Sequence, residues 1–296
     1  MSVLLTGATG FLGRGVMNAL LAADYRVTAL VEDQDEAAEV QAAGAEAFFA
    51  DEDDSRTLDA LALESDGVIH TATSHAGDAE FIAAITPGLT NGDKPFIYTS
   101  SLWTFGSGRD LTERSPQRPP AAVSWMVDMQ KSLMAQESVR SVIVFPGVVY
   151  GHGQGIPRRF VDDARTSDGS TVVPYLGDGA QHWATVHVDD LADLYVRIVG
   201  AESHNNELYI AANDDAPTVG ELAEAAASAV GGATQAETVA EAAPRIHPAL
   251  AELLLLDQHA GADRARERLG WHPSRPSLRD ELRAGYLAVP QDPLWD

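Results

Sequence analysis

The sequence predicts an α/β fold, a doubly wound parallel sheet of Rossmann type with a smaller, mostly C-terminal substrate lobe. Three observations carry that reading. Short aliphatic runs alternate with helical patterns through the first half, a glycine turn joins the first run to the first helix, and Gly, Pro and Asp become more frequent after Tyr150. Such alternation places parallel strands side by side, with crossover helices on both faces. A chain of 296 residues suits one large core with a minor appendage.

The elements follow in order. Residues 2–6 form an apolar strand, and Leu12, Val16, Leu20 and Leu21 then recur at helical spacing. Arg26–Val31 is the second strand. An Ala-rich helix over 35–43, a strand at Ala47–Phe49, a helix over 55–63 and a strand at Gly67–Thr71 continue the pattern. Apolar runs at Phe96–Thr99 and Ser141–Phe145 bracket a helix near 122–137, which brings five or six strands before residue 150. Beyond it, 152–155, 166–171 and 177–179 read as loops, and helices return near 188–200, 218–230 and 257–269. The expected division is a dinucleotide-binding domain over 1–150, with 182–212 returning to it, and a substrate lobe built from 151–181 and 213–296.

Composition narrows the function classes. With 45% hydrophobic and 22% charged residues, and no apolar run near the ~18 residues a span requires, the chain reads as soluble and not as a membrane protein. Twenty basic against forty-four acidic side chains give a net charge of −24, shared evenly by the two halves. That field repels polyphosphate, so neither nucleic acid nor an anionic membrane is expected as a partner. The absence of cysteine excludes disulfides and thiolate metal sites, and no histidine pair stands at helical metal spacing with a carboxylate, so no metal is expected. The start, Met-Ser-Val-Leu-Leu, enters a strand without a basic leader, which points to the cytoplasm. Oligomeric state is not legible.

Gly7, Gly10 and Gly13 lie in TGATGFLG between the first strand and the first helix. Glycine lets backbone approach a pyrophosphate there, and the following helix, opening at Phe11 and Leu12, offers amide donors and a positive dipole end. Glu32 closes the next strand 19 residues beyond Gly13, the position from which an acid holds a ribose 2′-OH and repels a 2′-phosphate. Arg14, directly after the last glycine, could instead meet a 2′-phosphate. NADH and NADPH both stay open, with Glu32 tilting toward NADH.

The GxxGxxG spacing resembles the extended branch of the short-chain dehydrogenase/reductase superfamily, and the resemblance continues along nearly the whole chain. Ala50-Asp51-Glu52 resembles the segment that binds adenine, and Val68-Ile69-His70-Thr71-Ala72-Thr73 the strand lining the cofactor. Tyr98–Gly106 resembles the strand that ends in the active-site serine. Pro146-Gly147-Val148-Val149-Tyr150-Gly151, His187-Val188-Asp189-Asp190-Leu191-Ala192 and Leu269-Gly270-Trp271-His272-Pro273 are similar to later signatures of that branch. The resemblance implies cofactor contacts at Asp51, Glu52, Thr71, Ala72, Thr73, Pro146 and Val149.

It also implies a tyrosine four residues before a lysine, the phenol as proton donor and the lysine as ribose ligand. The lysine position is Lys131 and the tyrosine position is Val127; no tyrosine occurs between Tyr98 and Tyr150. Lys131 is one of two lysines in the chain, and at that position it is expected to hold the nicotinamide ribose. Ser101 matches the serine that polarises the substrate carbonyl, with Thr99, Ser100 and Ser124 as alternatives. His75 and His152 are further candidate donors. Trp103, Phe105, Trp125, Met126 and Trp183 are expected around the cleft; with no sugar-diphosphate clamp in the sequence, they favour a large, flat, apolar substrate, and Arg158 and Arg159 could meet an acidic group on it.

Tyrosine-less relatives with antibiotic-tailoring roles imply an NAD(P)H-dependent ketoreductase acting on a polycyclic aromatic polyketide ketone, with the proton drawn from a substrate hydroxyl or from water. Two alternatives belong to other classes: a non-catalytic dinucleotide sensor, and a lyase, cyclase or epimerase without net redox.

Overall fold

The computed structural model describes residues 1–50, 54–72, 77–90, 94–201 and 206–286. Its main sheet has seven strands: β1 (Ser2–Thr6), β2 (Arg26–Val31), β3 (Glu46–Phe49), β4 (Gly67–His70), β5 (Pro95–Thr99), β6 (Arg140–Pro146) and β7 (Glu207–Ala211). All neighbours run parallel, in the order β7-β6-β5-β4-β1-β2-β3. The order reverses between β1 and β4, and ligands of such sheets bind in the crevice outside the strand ends at that point.

Side-chain alternation assigns the two faces. Val3, Leu5, Val27, Ala29, Ile69, Ile97 and Val142 point to one side, against α1 (Phe11–Ala22), α2 (Gln34–Ala43) and a later helix described below. Leu4, Val68, Phe96, Tyr98 and Ile143 point to the other, against α3 (Ser55–Glu64), α4 (Asp78–Leu89) and α5 (Ser124–Met134). Central strands covered on both faces need continuous apolar runs, and β4, β5 and β6 are buried throughout.

Caps set the helix ends. The Asp33 carboxylate accepts from the amides of Asp35 and Glu36, each at 2.9 Å, and Gly44 closes α2 at φ 99°. Helix α4 is absent from the sequence-based assignment. Its last turns carry Thr86-Pro87-Gly88, residues that disfavour a helix interior. Gly88 is required there because α3 approaches so closely that a Cβ would stand 2.3 Å from the Asp59 carbonyl oxygen.

After β6 the chain leaves the sheet and returns through α6 (Val188–Gly200), which packs along α1, and then β7. Strands Arg165–Ser167 and Ser170–Leu176 form a hairpin where the sequence suggests a loop. Its turn, Asp168-Gly169, has φ values of 50° and 77°, the pair of left-handed residues that an Asp-Gly hairpin turn needs. Ala233–Glu237 adds a parallel strand, and α7 (Val219–Ala229), with a Thr218–Glu221 capping box, covers this sheet. Phe160, Trp183, Leu222, Leu254 and Tyr286 fill a separate core. The helix expected over 257–269 is shorter, Asp263–Leu269; before it, Gln258–Ala260 pairs with Gly108–Leu111.

Trp271 then crosses back. It is wholly buried in the core beneath α6, and its indole N–H donates to the Asp190 carbonyl at 2.7 Å. The Asp190 carboxylate accepts from the amides of Ser274 and Arg275 at 3.0 and 2.9 Å. Among the described residues, no helix is long and apolar enough to cross a membrane.

Candidate active site

The turn between β1 and α1 is held by close contacts. Gly7 has φ 68°, and a Cβ there would lie 2.8 Å from the Ala72 amide nitrogen; one on Gly13 would lie 1.9 Å from the Gly7 carbonyl oxygen. These two glycines are fixed by backbone packing. Gly10 differs: it is exposed, and its Cβ would meet only the Gly7 carbonyl oxygen, at 3.3 Å. Gly10 is also the N-cap of α1 and supplies no side-chain cap, so the positive end of the helix dipole is left for an anion. An open cradle over an uncapped helix start fits a dinucleotide pyrophosphate.

The β4 end closes against this turn. The Thr71 hydroxyl donates to the Thr6 carbonyl at 2.6 Å. The Thr6 hydroxyl lies 2.8 Å from Nδ1 of His70, His70 Nε2 lies 3.3 Å from Asp78, and Tyr98 donates to the other Asp78 oxygen at 2.7 Å. His70 is stacked on Phe81 at 4.6 Å, and the four polar residues are all buried. Burial and the Asp78 charge push the Tyr98 phenol far above the ordinary tyrosine range. This chain ties three strand ends and the first turn of α4 together under the glycine turn, and nothing in the spacing of its residues announces it.

At the end of β2 the Glu32 side chain is exposed. The Glu36 carboxylate accepts from the Glu32 amide at 2.8 Å and from the Thr9 hydroxyl at 2.7 Å, joining β2 to the glycine turn. Arg14 donates to the Thr9 carbonyl at 3.2 Å and pairs with Glu39 at 2.6 Å. Sequence reasoning found Glu32 and Arg14 and missed Glu36 and Glu39. The signal was present: Asp33-Gln34-Asp35-Glu36 has capping-box spacing, which fixes the phase of α2.

Ser101 stands just after β5, half-buried, and its hydroxyl accepts from the Trp103 amide at 3.2 Å as N-cap of a short 3₁₀ turn, Leu102–Phe105. The hydroxyl hydrogen remains available for an acceptor. Ser100 is turned into the interior, where the buried amide of Gln130 donates to it at 2.5 Å; Gln117 donates to Gln130 at 2.6 Å and to Thr104 at 3.2 Å. Thr99 is bonded to Tyr195 at 2.7 Å. Ser101 is thus the hydroxyl of the three not drawn into the core.

The inward stripe of helix α5 is Val127, Gln130 and Leu133. Lys131 lies past that stripe, its side chain 72% exposed and its ammonium 3.5 Å from the equally exposed Asp128. It borders a depression with Glu113, Gln117, Met134 and Leu208. Val127 is buried where a phenol would have to be accommodated. Ser124 is exposed and donates to the Ala121 carbonyl at 3.0 Å, the geometry of a turn.

The aromatic residues divide. Phe105, 2% exposed, packs edge-on to Phe145 at 5.0 Å, and both also floor the depression bordered by Lys131. Trp183 is buried in the second core, donating to the Leu254 carbonyl at 3.0 Å, and walls a cavity of about 40 Å³ with Phe160, Tyr175 and Arg159. Trp103, Trp125 and Met126 are half-buried. Pro146 ends β6 in the interior, and Val149 is half-buried, its carbonyl 2.4 Å from where a Gly155 Cβ would lie. Arg158 and Arg159 pair with Asp162 and Asp163 on their own helical segment. Asp51, Glu52, Thr73 and His75 lie outside the described residues.

His152 does not reach toward Ser101's turn; it bonds Asp189 at 2.9 Å. His152, His187 and Asp189 bring ligand-type atoms within 4.8 Å of one another, but each is engaged. His187 Nδ1 accepts from the Asp189 amide at 3.1 Å, its Nε2 lies 3.2 Å from Glu281, and Arg275 lies 3.4 Å from Asp189. Burial pushes the Asp189 carboxyl up, yet the His152 hydrogen bond and the charges of His187, His152 and Arg275 hold it below its ordinary value. The cluster latches α6 to the helix Leu278–Arg283.

Comparison with known proteins agrees with this geometry. The profile of the NAD dependent epimerase/dehydratase family matches residues 3–212. A 3-diazoavenalumate denitrifying reductase from a Streptomyces species is 28% identical over 322 residues, covering 95% of this chain and 99% of that protein. A 4-hydroxy-2-methyl-3-oxo-4-farnesyl-3,4-dihydroquinoline-1-oxide ketoreductase from Stigmatella aurantiaca is 36% identical over 170 residues, 51% of each chain. The dTDP-glucose 4,6-dehydratase of Bacillus anthracis, solved with NAD, superposes with a TM-score of 0.76 at 16% identity, covering 97% of this chain and 95% of that one, a likeness of fold.

Proposed function

The chain belongs to the NAD dependent epimerase/dehydratase family and is an NAD(P)-dependent enzyme of oxidoreductase type, and from that premise we propose that it is a cytoplasmic reductase. In this reading it uses NAD(H) to reduce the ketone of a polycyclic aromatic, angucyclinone-like polyketide intermediate. The reading is carried by an open glycine cradle together with the Ser101 hydroxyl just after β5, while the phenol position, on α5, holds the buried Val127.

The bound nicotinamide supplies the hydride. The remaining work falls to the chain. Gly10 and the start of α1 hold the pyrophosphate, and Thr71, Ala72, Pro146 and Val149 border the ring. Ser101 donates a hydrogen bond to the carbonyl oxygen, polarising it toward attack at carbon. A protein phenol is missing from position 127, so the proton reaching that oxygen comes from a substrate hydroxyl beside the ketone, or from water. A general acid contributes ~10²- to 10⁴-fold, a loss that good orientation of hydride and carbonyl can absorb. The half-buried Trp103, Trp125 and Met126 are the aromatic and apolar side chains offered for a flat, apolar substrate. Both bacterial relatives are named reductases, one of them a ketoreductase of an oxo-dihydroquinoline oxide and the other a denitrifying reductase, and the first name supports the ketone reading.

The test uses a ketone carrying a neighbouring phenol and its methyl ether, with consumption of NADH followed by absorbance. The ether is expected to bind and be reduced at least ~10²-fold more slowly. Reduction of the ether at the parent rate would defeat proton delivery by the substrate, and failure of any polycyclic ketone to oxidise NADH would defeat the ketoreductase reading. Val127→Tyr is expected to bring no gain on the parent substrate.

A further inference from the structure

The strongest unassigned feature is the charge arrangement around Arg14. Its guanidinium is 13% exposed, forms an ion pair with Glu39 at 2.6 Å without a well-directed hydrogen bond to Oε1, and reaches the Thr9 carbonyl, while its Nε has no acceptor among the described residues. Glu39 lies one turn beyond Glu36 on α2, and Glu36 in turn spans the gap between the Glu32 amide and the Thr9 hydroxyl. The space beside the glycine turn and the β2 end, where an adenosine ribose would bring its 2′ substituent, is therefore walled by one arginine and the carboxylates of Glu32, Glu36 and Glu39.

We propose that Glu39, by holding Arg14, is the residue that makes the site selective for NADH over NADPH, with Glu36 as its support. The proposal rests on the functional reading above, since it presumes a dinucleotide in this cradle. Arg14 alone would welcome a 2′-phosphate through charge-assisted hydrogen bonds. Bound to Glu39, its positive charge is already spent, and a dianion entering beside Glu36 would meet net negative charge. A 2′-hydroxyl meets no such penalty and can donate to the Glu36 carboxylate. Exposed Glu32, whose side chain holds nothing, is secondary in this account.

Binding, not turnover, tests the idea. Dissociation constants for NADH and NADPH are measured by calorimetry on the wild type, Glu39→Gln, Glu36→Gln, Arg14→Ala and the double variant Arg14→Ala/Glu39→Gln, with thermal melts confirming that each is folded. Wild type should prefer NADH. Glu39→Gln should tighten NADPH by about tenfold while moving NADH by less than about twofold, the effect expected of one nearby charge in partly solvated surroundings. The double variant should lose that gain, because the freed arginine is its source. NADPH affinity unchanged by Glu39→Gln, or a gain that survives loss of Arg14, would overturn the proposal while leaving the dinucleotide site intact. If the wild type binds neither dinucleotide, the functional reading falls and takes this inference with it.

Discussion

Tyr98 donates its phenolic hydrogen bond to Asp78 at 2.7 Å inside the sheet core, which places a carboxylate in direct contact with one of the most deeply buried side chains of β5. The other oxygen of that carboxylate faces His70, so Tyr98 and His70 supply part of the solvation that water would otherwise give.

Tyr98→Phe removes one donor from this buried carboxylate. The variant should lose roughly 1.5–3 kcal/mol of stability, read as a lower denaturant midpoint at unchanged m-value. A loss under ~0.5 kcal/mol would show that Asp78 finds another partner.

The glycine turn separates function from folding. Gly13→Ala should destabilise the protein severely, since its Cβ would fall 1.9 Å from the Gly7 carbonyl oxygen. Gly10→Val, on the exposed side, should leave the melting temperature nearly unchanged and weaken NADH binding at least about tenfold by crowding the pyrophosphate cradle. Calorimetry and thermal melts on the two variants distinguish these outcomes.

Lys131 should prove dispensable for the cofactor. With its ammonium solvated and opposite Asp128, Lys131→Ala is expected to change NADH affinity by less than about twofold. A loss of tenfold or more would mean that the side chain swings inward when the dinucleotide binds.

The Asp189 latch carries a pH signature. Its folded carboxyl sits below the ordinary value of 3.8, so its contribution to stability is complete above that value and is lost as the pH falls through the lower, folded one. Asp189→Asn should therefore be less stable than wild type at pH 7, by about 1–3 kcal/mol, with the difference shrinking as both are taken below about pH 4 in denaturant titrations. A difference that stays constant down to the acid limit would remove Asp189's charge from the account.

The sheet was legible because buried parallel strands need uninterrupted aliphatic runs: Arg26–Val31 has the same bounds in the sequence reading and in the structure, β4 and β5 differ by one residue at one end, and β6 by one residue at each end. What escaped were elements whose local chemistry argues against them. Pro87 and Gly88 disguised α4, and Thr166–Thr171 looked like a loop although Asp168-Gly169 is a hairpin turn. In the site, the glycine cradle could be read because its backbone demands are local. The rotation of α5 could not be, since the pattern that fixes it, Val127, Gln130 and Leu133, includes a buried glutamine satisfied only by Ser100 and Gln117, two residues far away in the chain.

The return of Trp271 to the core beneath α6 bears on how the protein is made. The last strand of the main sheet ends at Ala211, yet the indole that completes this side of the sheet is encoded about sixty residues later. On a ribosome adding ~5–20 residues per second, the nascent N-terminal body waits several seconds with an apolar socket open to solvent. A gene cut after β7 would make that interval permanent, so the N-terminal piece ending at Ala211 is expected to aggregate when expressed alone and to be recovered when the C-terminal remainder is co-expressed in trans.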